Sequence, residues 1–90
     1  MMEASIVAER ALVHALFVDH TVLENKWVSR LKPEDFRDEA CRIIFESKGT
    51  RVPWKDGLLT GFKRAMEQPY VRENVDVYAR IILHCAGKTN

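Results

Sequence analysis

The chain is poor in the residues that break, staple or bridge a fold: among 90 residues there are 4 Gly, 3 Pro and 2 Cys. Two cysteines allow at most one disulfide, which excludes a densely cross-linked secreted scaffold. Cys41 and Cys85 each fall within an apolar helical pattern and read as reduced, buried thiols of a cytoplasmic protein. Long apolar runs are missing too. The longest, Ala11 to Val18, is interrupted by His14 and falls well short of the ~20 residues that cross a bilayer. Met1-Met2-Glu3 lacks the basic start of a secretory signal. Nor does one sign of charge prevail: 14 Lys and Arg face 13 Asp and Glu, a net charge of +1. Residues 1–50 carry seven basic and nine acidic side chains, residues 51–90 seven and four. A dedicated nucleic-acid binder shows a more concentrated basic stripe, so direct nucleic-acid binding is not expected.

Recognisable reaction chemistry is equally scarce. Gly87-Lys88-Thr89 is similar to the end of a phosphate-binding loop, but Ile82 stands where that loop needs its first glycine. His14, His20 and His84 show no paired metal-ligand spacing with Cys41 and Cys85. The carboxylates sit on helix faces and at helix starts, where structure alone calls for charge. The expectation is a protein without catalytic group, metal or cofactor.

What the chain does have is helical periodicity. Ninety residues make one domain, which should bury roughly 60–65% of the surface that the unfolded chain exposes. Ala4, Ala8, Ala11, Leu12, Ala15 and Leu16 keep helical spacing over residues 3–18, with Glu9, Arg10 and His14 on another side. A second helix is predicted after Asp19-His20-Thr21, through about Val28, with Val22, Leu23, Trp27 and Val28 inward. Pro33 opens a new turn that Phe36 closes, and Glu34 and Asp35 suit its positive end. A third helix over about 38–48 carries Ala40, Cys41, Ile43, Ile44 and Phe45 on its apolar face and Glu39, Arg42 and Glu46 on its wet one, with Gly49 as its stop. Leu58, Leu59, Phe62, Ala65 and Met66 mark a weaker helix over 55–67, since Gly57 and Gly61 each cost about 1 kcal/mol relative to alanine. The last begins at Asn74 as cap, turns Val75, Tyr78, Ile81, Ile82 and Cys85 inward, and stops at Gly87, leaving residues 88–90 frayed. The fold class is all-α, a compact bundle of about five to six short helices.

Three segments in order resemble the N-terminal domain of DnaB-type replicative helicases. Ala8-Glu9-Arg10-Ala11-Leu12-Val13-His14-Ala15-Leu16-Phe17-Val18-Asp19 is similar to that family's opening helix. Leu31-Lys32-Pro33-Glu34-Asp35-Phe36 is close to its "LxPEDF" turn and runs on into Arg37 to Glu46, which looks like its "YxxAHRxIFEAI" helix. Tyr78-Ala79-Arg80-Ile81-Ile82 is similar to its closing "YAxII" helix. Cys41 stands where the family has histidine and Arg37 where it has an aromatic, and Val52-Pro53-Trp54-Lys55-Asp56 replaces its "PID" segment. The family's ATPase motor, linker and helical hairpin have no counterpart here. The same fold resembles the helicase-binding C-terminal domain of bacterial primases, to which Ala8-Glu9-Arg10 is the better match.

The resemblance implies docking: such domains self-associate into a collar and receive primase without hydrolysing ATP. Its expected partners are replication proteins (primase, helicase or helicase loader) or further copies of the chain. A stand-alone phage- or plasmid-type regulator that mimics this domain is the alternative, and a small DNA-binding domain a weaker one. Residues outside the apolar faces would meet the partner: Glu9, Arg10 and His14 on the first helix, and Glu39, Arg42 and Glu46 on the third. Trp27 and Trp54 join them because tryptophan is enriched at binding hot spots.

Overall fold

A computed structural model describes residues 3–88. Four α-helices carry the fold: α1 (Ala4–Val18), α2 (Glu39–Glu46), α3 (Leu58–Glu67) and α4 (Val75–Cys85). No strand occurs among the described residues. Short 3₁₀ turns at His20–Glu24, Val28–Arg30, Pro33–Asp35 and Arg72–Asn74 connect them. The all-α class therefore holds, with four α-helices among the described residues in place of five to six.

Helix α1 is the axis of the molecule. The other three helices and the first 3₁₀ turn all pack against it. Ser5, Ala8, Glu9, Ala11, Leu12, Val13, Ala15 and Leu16 are all buried, so it is covered on more than one side. Small residues allow this, because Ala8, Ala11 and Ala15 let neighbouring backbones approach. Ile44 of α2, Ala65 of α3 and Val75, Ala79 and Ile82 of α4 complete one core with Leu12 and Leu16.

The predicted second helix does not form, for a local reason. Asp19 accepts hydrogen bonds from the Thr21 N–H at 3.0 Å and the Thr21 hydroxyl at 2.6 Å, which starts the first 3₁₀ turn. Asn25 then leaves helical geometry (φ −63°, ψ 134°), and its side-chain oxygen accepts from Trp27 N at 2.8 Å and Val28 N at 3.2 Å. Asp19 thus acts as an ordinary N-cap, and it is Asn25 that takes over backbone donors which a continuous helix would have used. Val22 and Val28 are still buried, as their apolar character requires.

Helix α2 starts where the sequence places it. Asp38 caps it by accepting from Ala40 N at 3.0 Å and Cys41 N at 3.2 Å. It stops two residues before the expected end, with Lys48 rather than Gly49 taking the first left-handed position (φ 57°). Lys48 N bonds to Phe45 O and Gly49 N to Ile44 O, the paired closure of a Schellman end. Asn74 precedes α4 but makes no capping bond from its side chain. At the other end of α4 the same closure recurs, from Gly87 N to His84 O and Lys88 N to Leu83 O. Lys88, expected to fray, is held: its ammonium pairs with the buried Asp35 carboxylate at 2.6 Å. Residues 89 and 90 of that expected frayed end lie outside the described residues.

Candidate interaction surface

Helix α2 divides cleanly between core and surface. Ala40, Cys41, Ile44 and Phe45 are buried, while Glu39 and Glu46 are exposed and Arg42 half-buried. Spacings of three and four bring Glu39, Arg42 and Glu46 onto one stripe. This stripe lines a groove of about 520 Å³ whose other wall comes from Pro53, Lys55 and Leu58. A second groove of about 310 Å³ is lined by Leu23, Val28, Leu31, Pro33, Phe45 and Glu46. Glu46 therefore borders both.

Trp54 lies in the chain between two residues of the first groove's wall and remains 50% exposed. Its ring meets Phe62 edge-on at 5.0 Å, and Phe62 in turn meets Phe17 edge-on at 4.8 Å. Leu59, one helical turn before Phe62, is 53% exposed. The result is a ladder of three rings from the end of α1 across α3 to the 50–57 connection, with a bare leucine beside it. Exposed Lys55 and Lys63 flank it in sequence. Phe17, Leu59 and Phe62 were not among the candidates drawn from sequence. The signal lay in α3, whose five apolar residues span more than one helix face: Leu58 and Ala65 take the inside and Leu59 is left out.

Glu9, Arg10 and His14 do not join this surface, and their expected outward placement is corrected. Glu9 is fully buried. Its carboxylate accepts from the Ser5 hydroxyl at 2.7 Å, from Arg37 N at 3.0 Å and from Asp38 N at 2.8 Å. It thereby anchors the start of α2 to α1, near the positive end of the helix dipole. Arg10 is largely buried, and its Nε donates to Asp38 Oδ2 at 3.1 Å. His14 Nδ1 donates to the Gln68 carbonyl at 2.8 Å, at the C-terminal end of α3, and its ring meets Tyr70 edge-on at 4.6 Å. All three act within the fold. Trp27 stands elsewhere, half-buried and surrounded by cations.

Burial pushes the Cys41 thiol far above its ordinary range, and the nearby Asp38 and Glu9 carboxylates add to the effect. It is thus a neutral core group and no thiolate nucleophile. Among the described residues no three His, Cys, Asp or Glu side chains gather as metal ligands, and no helix is long and apolar enough to cross a membrane. Neither protein-family models, curated proteins nor solved structures match the chain.

Proposed function

We propose that this chain is a non-catalytic protein-interaction module of the DNA replication machinery, of the kind the helicase N-terminal domain represents. The exposed Trp54 at the outer end of the ring ladder, with exposed Leu59, supports an interaction role most directly. Trp54 and Leu59 hold apolar surface in water beside a groove edged with charge, the arrangement that binding hot spots use. The replication assignment rests on the three ordered segments. The most specific of them, Pro33 to Glu46, supplies the turn and the helix whose outer stripe lines that groove. Docking on this side would bury Trp54, Leu59, Arg42 and Glu46 and leave the core untouched.

The test is affinity capture of replication proteins with the immobilised chain from a replicating bacterial extract, with a Trp54→Ala/Leu59→Ser double variant alongside. Helicase, primase or helicase loader should be retained by the parent chain. The variant should retain that partner at least ~30-fold more weakly, corresponding to the ~2 kcal/mol of one hot-spot residue. Recovery of none of these three proteins, or equal recovery by both chains, would overturn the proposal.

A further inference from the structure

Three cations converge on one indole. Lys26 Nζ lies 5.5 Å from the Trp27 ring centroid, and the guanidinium carbons of Arg30 and Arg80 each lie 5.0 Å from it. Lys26 and Arg30 belong to the connection around Trp27, whereas Arg80 arrives from α4. The connection is held by its own polar side chains: Asn25 accepts from Trp27 N and Val28 N, and the Ser29 hydroxyl donates to the Lys26 carbonyl at 2.8 Å. Trp27 itself packs against the core. The cations therefore gather on a fixed platform.

Each cation over the ring gains about 0.5–1 kcal/mol at an exposed site, which offsets part of their mutual repulsion. No carboxylate of the described residues lies within ion-pairing distance of the three. The ion pairs among the described residues are Arg10–Asp38, Arg37–Glu3, Arg72–Asp19 and Lys88–Asp35. Lys26, Arg30 and Arg80 are all exposed and take part in none of them. Glu24 and Asp76, close to them in sequence, form no ion pair either. Three unspent cations on a rigid anchor call for a ligand carrying several negative charges.

Its class follows from shape and donor type. Each cation is within 5.5 Å of one centroid, so no two are more than twice that apart. All three cations are exposed and line neither of the two grooves described above, whereas a small metabolite needs concave enclosure. Two of the three donors are guanidinium forks, which match phosphate oxygens in pairs. We propose that Lys26, Arg30 and Arg80, set on Trp27, bind the phosphodiester backbone of a nucleic acid without reading its bases. This reverses the expectation drawn from a net charge of +1, because the cluster is assembled from both halves of the chain.

Fluorescence anisotropy of a short labelled oligonucleotide, single-stranded in one arm and duplex in the other, tests this across salt concentration. With three phosphates engaged, affinity should fall roughly 20-fold for the single strand and about 40-fold for the duplex between 50 and 200 mM salt. The tighter arm identifies the natural form. Arg30→Gln and Arg80→Gln should each flatten the single-strand dependence to about 7-fold. Lys63→Gln and Arg64→Gln, exposed on α3, should leave it unchanged. Circular dichroism of the variants should match the parent, as the substituted side chains are exposed. Three outcomes would each overturn the proposal: no binding at low salt, equal loss from the α3 variants, or displacement of the strand by an oligoglutamate peptide at matching charge concentration. The last would assign the cluster to an acidic protein partner.

Discussion

At the scale of single residues, Glu9 shows how a charge can be structural. It follows Ser5 by four positions and precedes Leu12 by three, so it lies on the same stripe as a buried leucine. The backbone leading into α2 turns two N–H groups toward that stripe, those of Arg37 and Asp38, and a carboxylate satisfies both. Glu9→Ala would leave these part-buried donors without their carboxylate, at up to about 1–3 kcal/mol for each group. Glu9→Gln retains one acceptor oxygen and should fall between alanine and the parent. Urea unfolding of the three chains should therefore rank parent, Gln, Ala in falling stability, and an alanine variant within ~0.5 kcal/mol of the parent would remove the anchor reading. The sequence pattern pointed the other way because charge is ordinarily a sign of solvent. A cue was nevertheless present: beyond Arg10, α1 carries no charged residue up to Val18, which suits a helix covered on more than one side.

Among elements, the crossing of α2 and α3 depends on Gly61. In sequence this glycine reads only as a weakness of its helix, costing about 1 kcal/mol relative to alanine. In the structure a Cβ at position 61 would overlap the Cβ of Ala40 on α2. The two helices are in contact because neither side chain extends further there. Gly61→Ala thus gains helix propensity and loses more through overpacking, which typically costs 1–3 kcal/mol. Its thermal midpoint should fall by several degrees, given the roughly 4–8 °C per kcal/mol of a small domain. Ala40→Gly in the same chain should recover part of the loss, and no recovery would place the strain elsewhere. Elements were legible where the apolar period is clear, as in α2, whose Asp38 cap the structure adds. They were not where a single side chain diverts the backbone, as Asn25 does, or where a residue's value lies in what it lacks, as with Gly61. The candidate surface was legible in part: Glu39, Arg42, Glu46 and Trp54 are brought to one side, whereas Phe17, Leu59 and Phe62 needed the helices in place.

For the whole molecule, Lys88, the last residue described, is tied back to the middle of the chain, and that tie should be readable in pH. The Schellman closure after α4, with Gly87 at φ 76°, brings Lys88 to Asp35, whose side chain is only 1% exposed. Asp35 also accepts from Lys32 N at 2.9 Å, so one carboxylate secures both the Pro33–Asp35 turn and the last residue described. The hydrogen bond to Asp35 raises the Lys88 ammonium above its ordinary 10.5, with the negative charges of Asp35 and Glu34 acting in the same direction. A raised folded-state value means that the pair's contribution is complete below about pH 10.5 and is lost as pH climbs through the higher folded value. Asp19 behaves oppositely. Hydrogen bonds from Thr21 and then Arg72 lower its carboxyl below 3.8, so its contribution persists at neutral pH and is lost as acid titrates it beneath that point. Lys88→Met should therefore be less stable than the parent at neutral pH, where Asp35 is left buried without its cation, and the two stability curves should converge at the alkaline end. Tyrosine and other lysine titrations are common to both chains and cancel in the difference. Denaturant midpoints measured from neutral pH to above 11 supply that difference, and one that stays constant throughout would show that Lys88 contributes packing rather than charge.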